Sequence, residues 1–263
     1  MISVQCADAA TVQSECDVLI VDPPYSEHVH ANPVSNGTGG MSVRKREFGF
    51  ERCGFHLRRA IARLAGDARR WSLVFSDIES CGAWREALEN EGLQHVRHVP
   101  WVRWSQPQLS GDRPPSGCEM VTIAHPRRRK RWSGPGSLTA FDAKSLKEKN
   151  KHNTEKPLDL MLSLVSWFSE QGETVLDPCC GSGTTGLACH LLDRNAVLFD
   201  NQLRWVEHTS LRLNRDLSAR DRERCERWLA AQSWVDSYEP TTKAGKARYE
   251  RARADIETLK GKL

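Results

Sequence analysis

The sequence predicts an α/β fold, a mostly parallel sheet with helices on both faces. Three observations predict it. Short apolar runs bounded by turn residues alternate with stretches of helical periodicity. One run passes through a glycine-rich turn directly into a helical pattern, at 173–192. The 263 residues are also enough for one large core or two small ones without disulfide or metal staples.

Taken in chain order, "VLIV" at 18–21 is a continuous apolar run, the mark of a strand buried on both sides. Helical spacing, with apolar and arginine positions interleaved, follows at 50–65. A strand at 71–75, a helix at 78–91 and strands at 96–104 and 120–125 continue the alternation. A helix at 157–169 opens on Pro157, whose fixed φ suits a first turn. Strands at 174–176 and 196–199 enclose a helix at 184–192, and a further helix covers 204–216. Three stretches break this rhythm: a Gly/Ser/Asn-rich loop at 26–47, a basic insertion at 127–153, and 217–263, whose helix-forming but mixed-charge end suggests an exposed helix or a contact for another subunit.

Nine cysteines, an odd number with no CxxC pair, point to free thiols in a reducing compartment, and nothing at the N-terminus resembles a secretion signal. No apolar run approaches the roughly 18 to 20 residues of a membrane span. Net charge is only +4, but 121–156 holds ten Lys/Arg against three Asp/Glu. With Arg44, Lys45 and Arg46 and the pair Arg58 and Arg59, that segment is either a face for a polyanion or solvated surface.

Two motifs carry chemistry. In "ETVLDPCCGSGTTGLACHLL" a strand ends at Asp177, turns through Cys179, Gly181, Ser182 and Gly183, and starts a helix at Thr184. Such a turn lets the backbone approach a ligand, and Asp200 with Asn201 at the end of the next strand is placed to accept from a ribose diol. Gly181, Gly183 and Gly186 also spell GxGxxG, so a dinucleotide, S-adenosylmethionine and a purely structural turn all remain open, the Asp-Pro start favouring the second. The other motif is Asp22, Pro23, Pro24 and Tyr25 directly after a buried strand. Paired prolines remove two donors, so the chain there leaves the sheet and holds its carbonyls outward beside a carboxylate.

Together these residues resemble the DNA amino-methyltransferases, whose signatures are (D/N/S)PP(Y/F) and DPFxGSGT. The order, Asp22 to Tyr25, then "HNTEKPLDLM" at 152–161, then Asp177 to Thr184, is similar to the β group, and the likeness covers roughly residues 1–215. It implies a Rossmann-like S-adenosylmethionine-dependent fold, with a catalytic half at 1–126, a target-recognition insertion at 127–153, a cofactor half at 154–216 and a helical extension at 217–263. It further implies that Asp8 and Ala9 hold the cofactor adenine, where Ala7 stands for the family glycine, and that Thr154 and Lys156 lie at the methionine end, Lys156 against its carboxylate. Cys179 stands where the family has Phe; a thiol walls that pocket less well, and it reads as a small core residue rather than a nucleophile.

The resemblance assigns Asp22 and the Pro23 carbonyl to the two amino hydrogens of the target base, and Tyr25 to stacking on a base taken out of the duplex. The acid leans toward adenine N6; cytosine N4 is the alternative, then an RNA amine. From other classes stand a nicotinamide-dependent oxidoreductase, which leaves the Asp22 motif without a role, and a non-catalytic DNA-binding protein. Arg127, Arg128, Arg129, Lys130 and Arg131 are expected on phosphates of double-stranded DNA. Trp101 and Trp104 read as core rather than base pocket, and His125 and His152 as free surface histidines rather than metal ligands, so no metal is expected. The chain is expected in the cytoplasm on nucleoid DNA, as a homodimer paired through helix faces near 50–65.

Overall fold

The computed structural model describes residues 1–25, 53–102, 117–127, 132, 140–142 and 155–263, with the backbone of 34–35 and 44–45. Its strands are β1 (Ile2–Cys6), β2 (Val18–Val21), β3 (Val34–Ser35), β4 (Arg44–Lys45), β5 (Trp71–Ser76), β6 (Leu93–Val102), β7 (Cys118–Pro126), β8 (Phe141–Asp142), β9 (Thr174–Asp177) and β10 (Asn195–Asp200). The helices are α1 (Phe55–Asp67), α2 (Cys81–Asn90), α3 (Leu158–Phe168), α4 (Thr184–Leu191), α5 (Leu203–Leu213), α6 (Ala219–Ala231), α7 (Trp234–Ser237) and α8 (Lys243–Lys260). None of the described helices is long and apolar enough to cross a membrane.

Across the main sheet the order is β1, β10, β9, β2, β5, β7, β6, β8. The first five are mutually parallel; β7 runs antiparallel to both β5 and β6. Alternation along β2 shows why its run is wholly apolar. Val18 and Ile20 join the core under α3 and α4, while Leu19 and Val21 join the core under α1 and α2.

The predicted strands and helices are all present, with ends shifted by a few residues. Two additions stand at the sheet edges. β1 pairs with β10, its alternating Ile2 and Val4 packing on the core. Within the expected insertion, Phe141 pairs in register with Trp101 and stacks on Trp167, so this part of the segment extends the sheet.

Two expectations are corrected. His125 is fully buried rather than a surface histidine: it stands edge-on to Trp71 at 5.1 Å and its Nδ1 is 2.8 Å from the Pro126 carbonyl. Flanking basic residues gave it a surface look, but its place on a central strand decides its burial. The 217–263 segment is not an exposed appendage either, since Cys225, Trp228, Asp255 and Leu259 are buried in the domain. Its charges find internal partners. Asp255 pairs with Arg194, both fully buried, and accepts from Ser166 at 2.7 Å, while Arg194 also donates to the Ser169 carbonyl at 3.0 Å. Arg224 on α6 donates to Asp159 on α3 at 2.8 Å.

Removing one partner of such a pair leaves the other charge buried without compensation. Asp255→Ala is therefore expected to destabilise the fold by about 3 to 5 kcal/mol. Urea unfolding measures it; an unchanged midpoint would mean that α8 docks through apolar contacts alone.

Candidate active site

The glycine turn is built by backbone geometry and two carboxylates. Gly181 and Gly183 have φ of 51° and 77°, the left-handed region, and a Cβ on Gly183 would lie 2.4 Å from Thr209 Cγ2. Asp177 ends β9 and ties the turn to the helix behind it, accepting from the Cys179 amide at 3.1 Å and the Thr185 hydroxyl at 2.6 Å. From the next strand, Asp200 accepts from the Gly181 amide at 3.0 Å and the Gln202 amide at 2.9 Å. Arg212 donates to the Ser182 carbonyl at 3.0 Å and the Thr184 hydroxyl at 3.1 Å.

Beside Asp200 lies the turn after β1. The Ala7 amide donates to the Asp200 carbonyl at 3.0 Å, and Asp8 Oδ1 accepts from the Ala10 amide at 2.8 Å. The turn at Asp8 and Ala9 and the end of β10 thus form one wall.

The opposite wall is the segment leaving β2. Lys156 Nζ donates to Asp22 Oδ2, and Tyr25 Oη donates to Glu119 Oε2. The ammonium is also 3.2 Å from Glu119 Oε2 and 3.4 Å from Tyr25 Oη. Asp22 Oδ1, by contrast, is buried and has no hydrogen-bond partner among the described residues. Burial raises the Asp22 pKa above the usual carboxylate range and Glu119 adds to that, against the pull of Lys156. Burial acts to discharge Lys156, but the carboxylates of Asp22 and Glu119 outweigh it and hold the lysine in its charged form.

These walls enclose a cavity of about 430 Å³. It gathers Asp22, Pro23, Pro24 and Tyr25 with Asp8, Ala9, Asp177, Cys179, Gly181, Ser182, Thr184, Asp200 and Asn201. Gly183 stands behind the lining, against Thr209. Lys156 reaches the cavity, but its ammonium is engaged by Asp22 and Glu119 rather than held out for a cofactor carboxylate. Arg46, Arg128, Arg129, Lys130, Arg131, Trp104, His152 and Thr154 lie outside the described residues, and Arg44 and Lys45 are described only as backbone of β4. Arg127 is exposed just past β7, and Trp101 is buried core.

The sequence reading missed Glu119, Phe75, Thr185, Gln202 and Trp205. Glu119 alone left a usable signal, the one acid in the largely buried strand β7. Cys179 is a thiol held well above its ordinary pKa by burial and by Asp177, which excludes it as a ready nucleophile.

The charged lining tests the candidate cofactors. Asp8, Asp22, Glu155, Asp177 and Asp200 face the cavity, and among the described residues its lining has no arginine. Such a site opposes a pyrophosphate and suits a cationic nucleoside, with apolar contact from Ile20, Phe75 and Trp205.

Comparison with known proteins agrees. The N6/N4 methyltransferase family model, described as DNA methylase, matches residues 94–210. The type II methyltransferase M2.LlaDCHI of Lactococcus lactis subsp. cremoris is 25% identical over 227 residues, 76% of this chain and 82% of that protein. M2.MboI of Moraxella bovis is 41% identical over 61 residues, which spans 23% of this chain and only 22% of the relative. Among solved structures, the M1.HpyAVI–SAM complex superposes with a TM-score of 0.63 at 25% identity, covering 82% of this chain and all of that one (100%).

Burial pushes the Asp177 carboxyl up to about 7, against the hydrogen bonds from Thr185 and Cys179. An acid with a folded pKa above its unfolded value near 4 keeps a proton that the unfolded chain releases, so stability falls as pH rises from about 4 to 7. Asp22 and Asp200 are shifted in the same direction and contribute the same sign. Asp177→Asn is expected to remove a part of that slope worth roughly 4 kcal/mol. Urea midpoints at either end of the window measure it, and equal slopes in the two proteins would contradict the burial of a titrating Asp177.

Proposed function

We propose, for a chain that belongs to the DNA amino-methyltransferase family, transfer of a methyl group from S-adenosylmethionine to the exocyclic N6 of adenine in DNA. The observation that carries this reading is the divided carboxylate of Asp22: one oxygen is clamped by Lys156, and the other is buried and has no partner among the described residues. An unsatisfied buried acceptor costs about 1 to 3 kcal/mol, so its natural partner is a donor brought by substrate.

An exocyclic amine is a weak nucleophile because its lone pair is delocalised into the ring. Asp22 Oδ1 accepts one amino hydrogen and the Pro23 carbonyl the other, which directs the lone pair toward the cofactor wall. Tyr25 presents a ring for stacking on a base rotated out of the duplex. Its position is fixed by the bond to Glu119 and by the Cys53 amide, which donates to the Tyr25 carbonyl at 3.1 Å. With its raised pKa, Asp22 can hold at Oδ1 the proton that leaves the methylated nitrogen. The cofactor, when bound, supplies an electrophilic methyl on a sulfonium; the Asp8 turn, Asp177, the glycine turn and Asp200 with Asn201 would hold it, with acidic groups matching its charge.

The acid at position 22 supports adenine over cytosine. Duplex DNA and a homodimer belong to the same reading: Arg127 is exposed beside the recognition segment, and Phe55, 67% exposed at the start of α1, offers apolar surface to a second copy. Light scattering with and without DNA reads the assembly. The reaction is tested with methyl-labelled S-adenosylmethionine and DNA, followed by mass identification of the modified nucleoside. N6-methyladenine is expected; N4-methylcytosine would move the base assignment, and unlabelled DNA would overturn the reaction.

Two substitutions test the residue roles. Asp22→Ala should reduce turnover by roughly 100-fold or more while S-adenosylmethionine affinity stays near that of the wild type. Near-normal turnover would remove Asp22 from the chemistry. Asp200→Ala should weaken cofactor binding by about 1 to 3 kcal/mol, through the lost diol acceptor and a loosened Gly181 amide. Calorimetry decides, and unchanged affinity would place the ribose elsewhere.

A further inference from the structure

The proposed chemistry uses Asp22, Pro23 and Tyr25, and leaves a buried lysine and a buried glutamate without a task. Lys156 is 7% exposed and Glu119 is 6% exposed. Burying such charges costs several kcal/mol each, and ion pairs rarely repay more than that, so a pair kept at this position is weak evidence for stability. Its location is informative. Lys156 stands two residues before α3 and Glu119 is the second residue of β7, yet both converge on the residues that follow β2.

The geometry makes them a unit. Lys156 Nζ takes Asp22 Oδ2, lies 3.2 Å from Glu119 Oε2, and is ringed by Phe75 at 5.0 Å, Tyr25 at 5.5 Å and Trp101 at 5.8 Å. The segment that carries it is held on both flanks from the C-terminal side. Glu155 pairs with Arg212 at 3.1 Å and Arg220 at 3.8 Å, and Asp159 with Arg224 at 2.8 Å. A purely structural bridge would satisfy both oxygens of Asp22. Here one is satisfied, while its twin, buried in a side chain that lines the cavity, has no partner among the described residues.

We infer that Lys156 and Glu119 are positioning residues for the methyl transfer: Lys156 locks Asp22 through Oδ2 so that Oδ1 is the acceptor presented to the amine, and Glu119 fixes both Lys156 and the Tyr25 hydroxyl, setting acceptor and stacking ring as one piece. The inference rests on the methyltransferase reading. It also gives the arginines of α5 and α6 a role, since they hold the backbone from which Lys156 reaches the site.

The groups facing Asp22 are Lys156, Glu119, Tyr25, Asp177 and the Cys179 thiol. Neutralising Glu119 removes a repulsion and lowers the Asp22 pKa, whereas neutralising Lys156 removes an attraction and raises it. The two substitutions must therefore act in opposite directions, which mere loosening of the fold would not produce.

The test uses full-length protein labelled with carboxyl-13C aspartate, with the Asp22 resonance assigned from Asp22→Asn and titrated without cofactor. The midpoint should fall in Glu119→Gln and rise in Lys156→Met. Turnover on DNA should drop by roughly 100-fold in both while S-adenosylmethionine affinity holds, with partial recovery in Lys156→Arg. Glu119→Gln keeps the shape of the side chain while removing its charge and one acceptor oxygen, so it decides alone if Lys156→Met does not fold. An unmoved midpoint or wild-type turnover in Glu119→Gln overturns this inference while leaving the reaction intact. A wild-type protein that transfers no label overturns the reaction, and the positioning role with it.

Discussion

The site depends on the parallel pairing of β2 with β9, Val18 opposite Val175 and Leu19 opposite Leu176. Parallel neighbours end at the same edge of the sheet, so Asp177, the last residue of β9, and Asp22, one residue past β2, emerge side by side. The chain after β9 enters α4 over one face, and the chain after β2 reaches α1 over the other. Two strands whose connections depart to opposite faces leave a crevice at their carboxyl ends, and the cavity occupies it.

That crevice concentrates negative charge. Asp8, Asp22, Glu155, Asp177 and Asp200 line it, and burial raises the pKa of Asp22, Asp177 and Asp200. A cationic cofactor relieves this electrostatic cost, while a dinucleotide phosphate would add to it. Lys156 offsets part of that charge, its ammonium lying against both Asp22 and Glu119, two buried acids that would otherwise face each other.

The C-terminal helices extend this charge system through the rest of the domain. Arg194 with Asp255, Arg224 with Asp159, and Arg212 with Glu155 and Asp221 form buried pairs that run from the back of the core to the segment bearing Lys156. Each fixes relative position more strongly than it adds stability, because the desolvation of both partners offsets most of their attraction. Rigid support of this kind holds the cavity-lining carboxylates in fixed positions, as the proposed orientation of a weak nucleophile would require.

What the sequence by itself determined is what short-range physics encodes. The apolar runs of β2, β5, β7, β9 and β10, the glycines with positive φ, and the stop imposed by Pro23 and Pro24 are local constraints, and they place both cavity walls. Tertiary structure decided the partners. Lys156 and Asp22 are 134 residues apart, Tyr25 and Glu119 are 94 apart, and Arg194 and Asp255 are 61 apart. Nothing local distinguishes a lysine bound for a cofactor from one bound for a buried carboxylate, a histidine on a surface from His125 beneath Trp71, or a solvated charged helix from one whose Asp255 meets a buried arginine. Periodicity reports which way a side chain faces along its own element; the charge it meets there is set by which strands and helices the fold brings alongside.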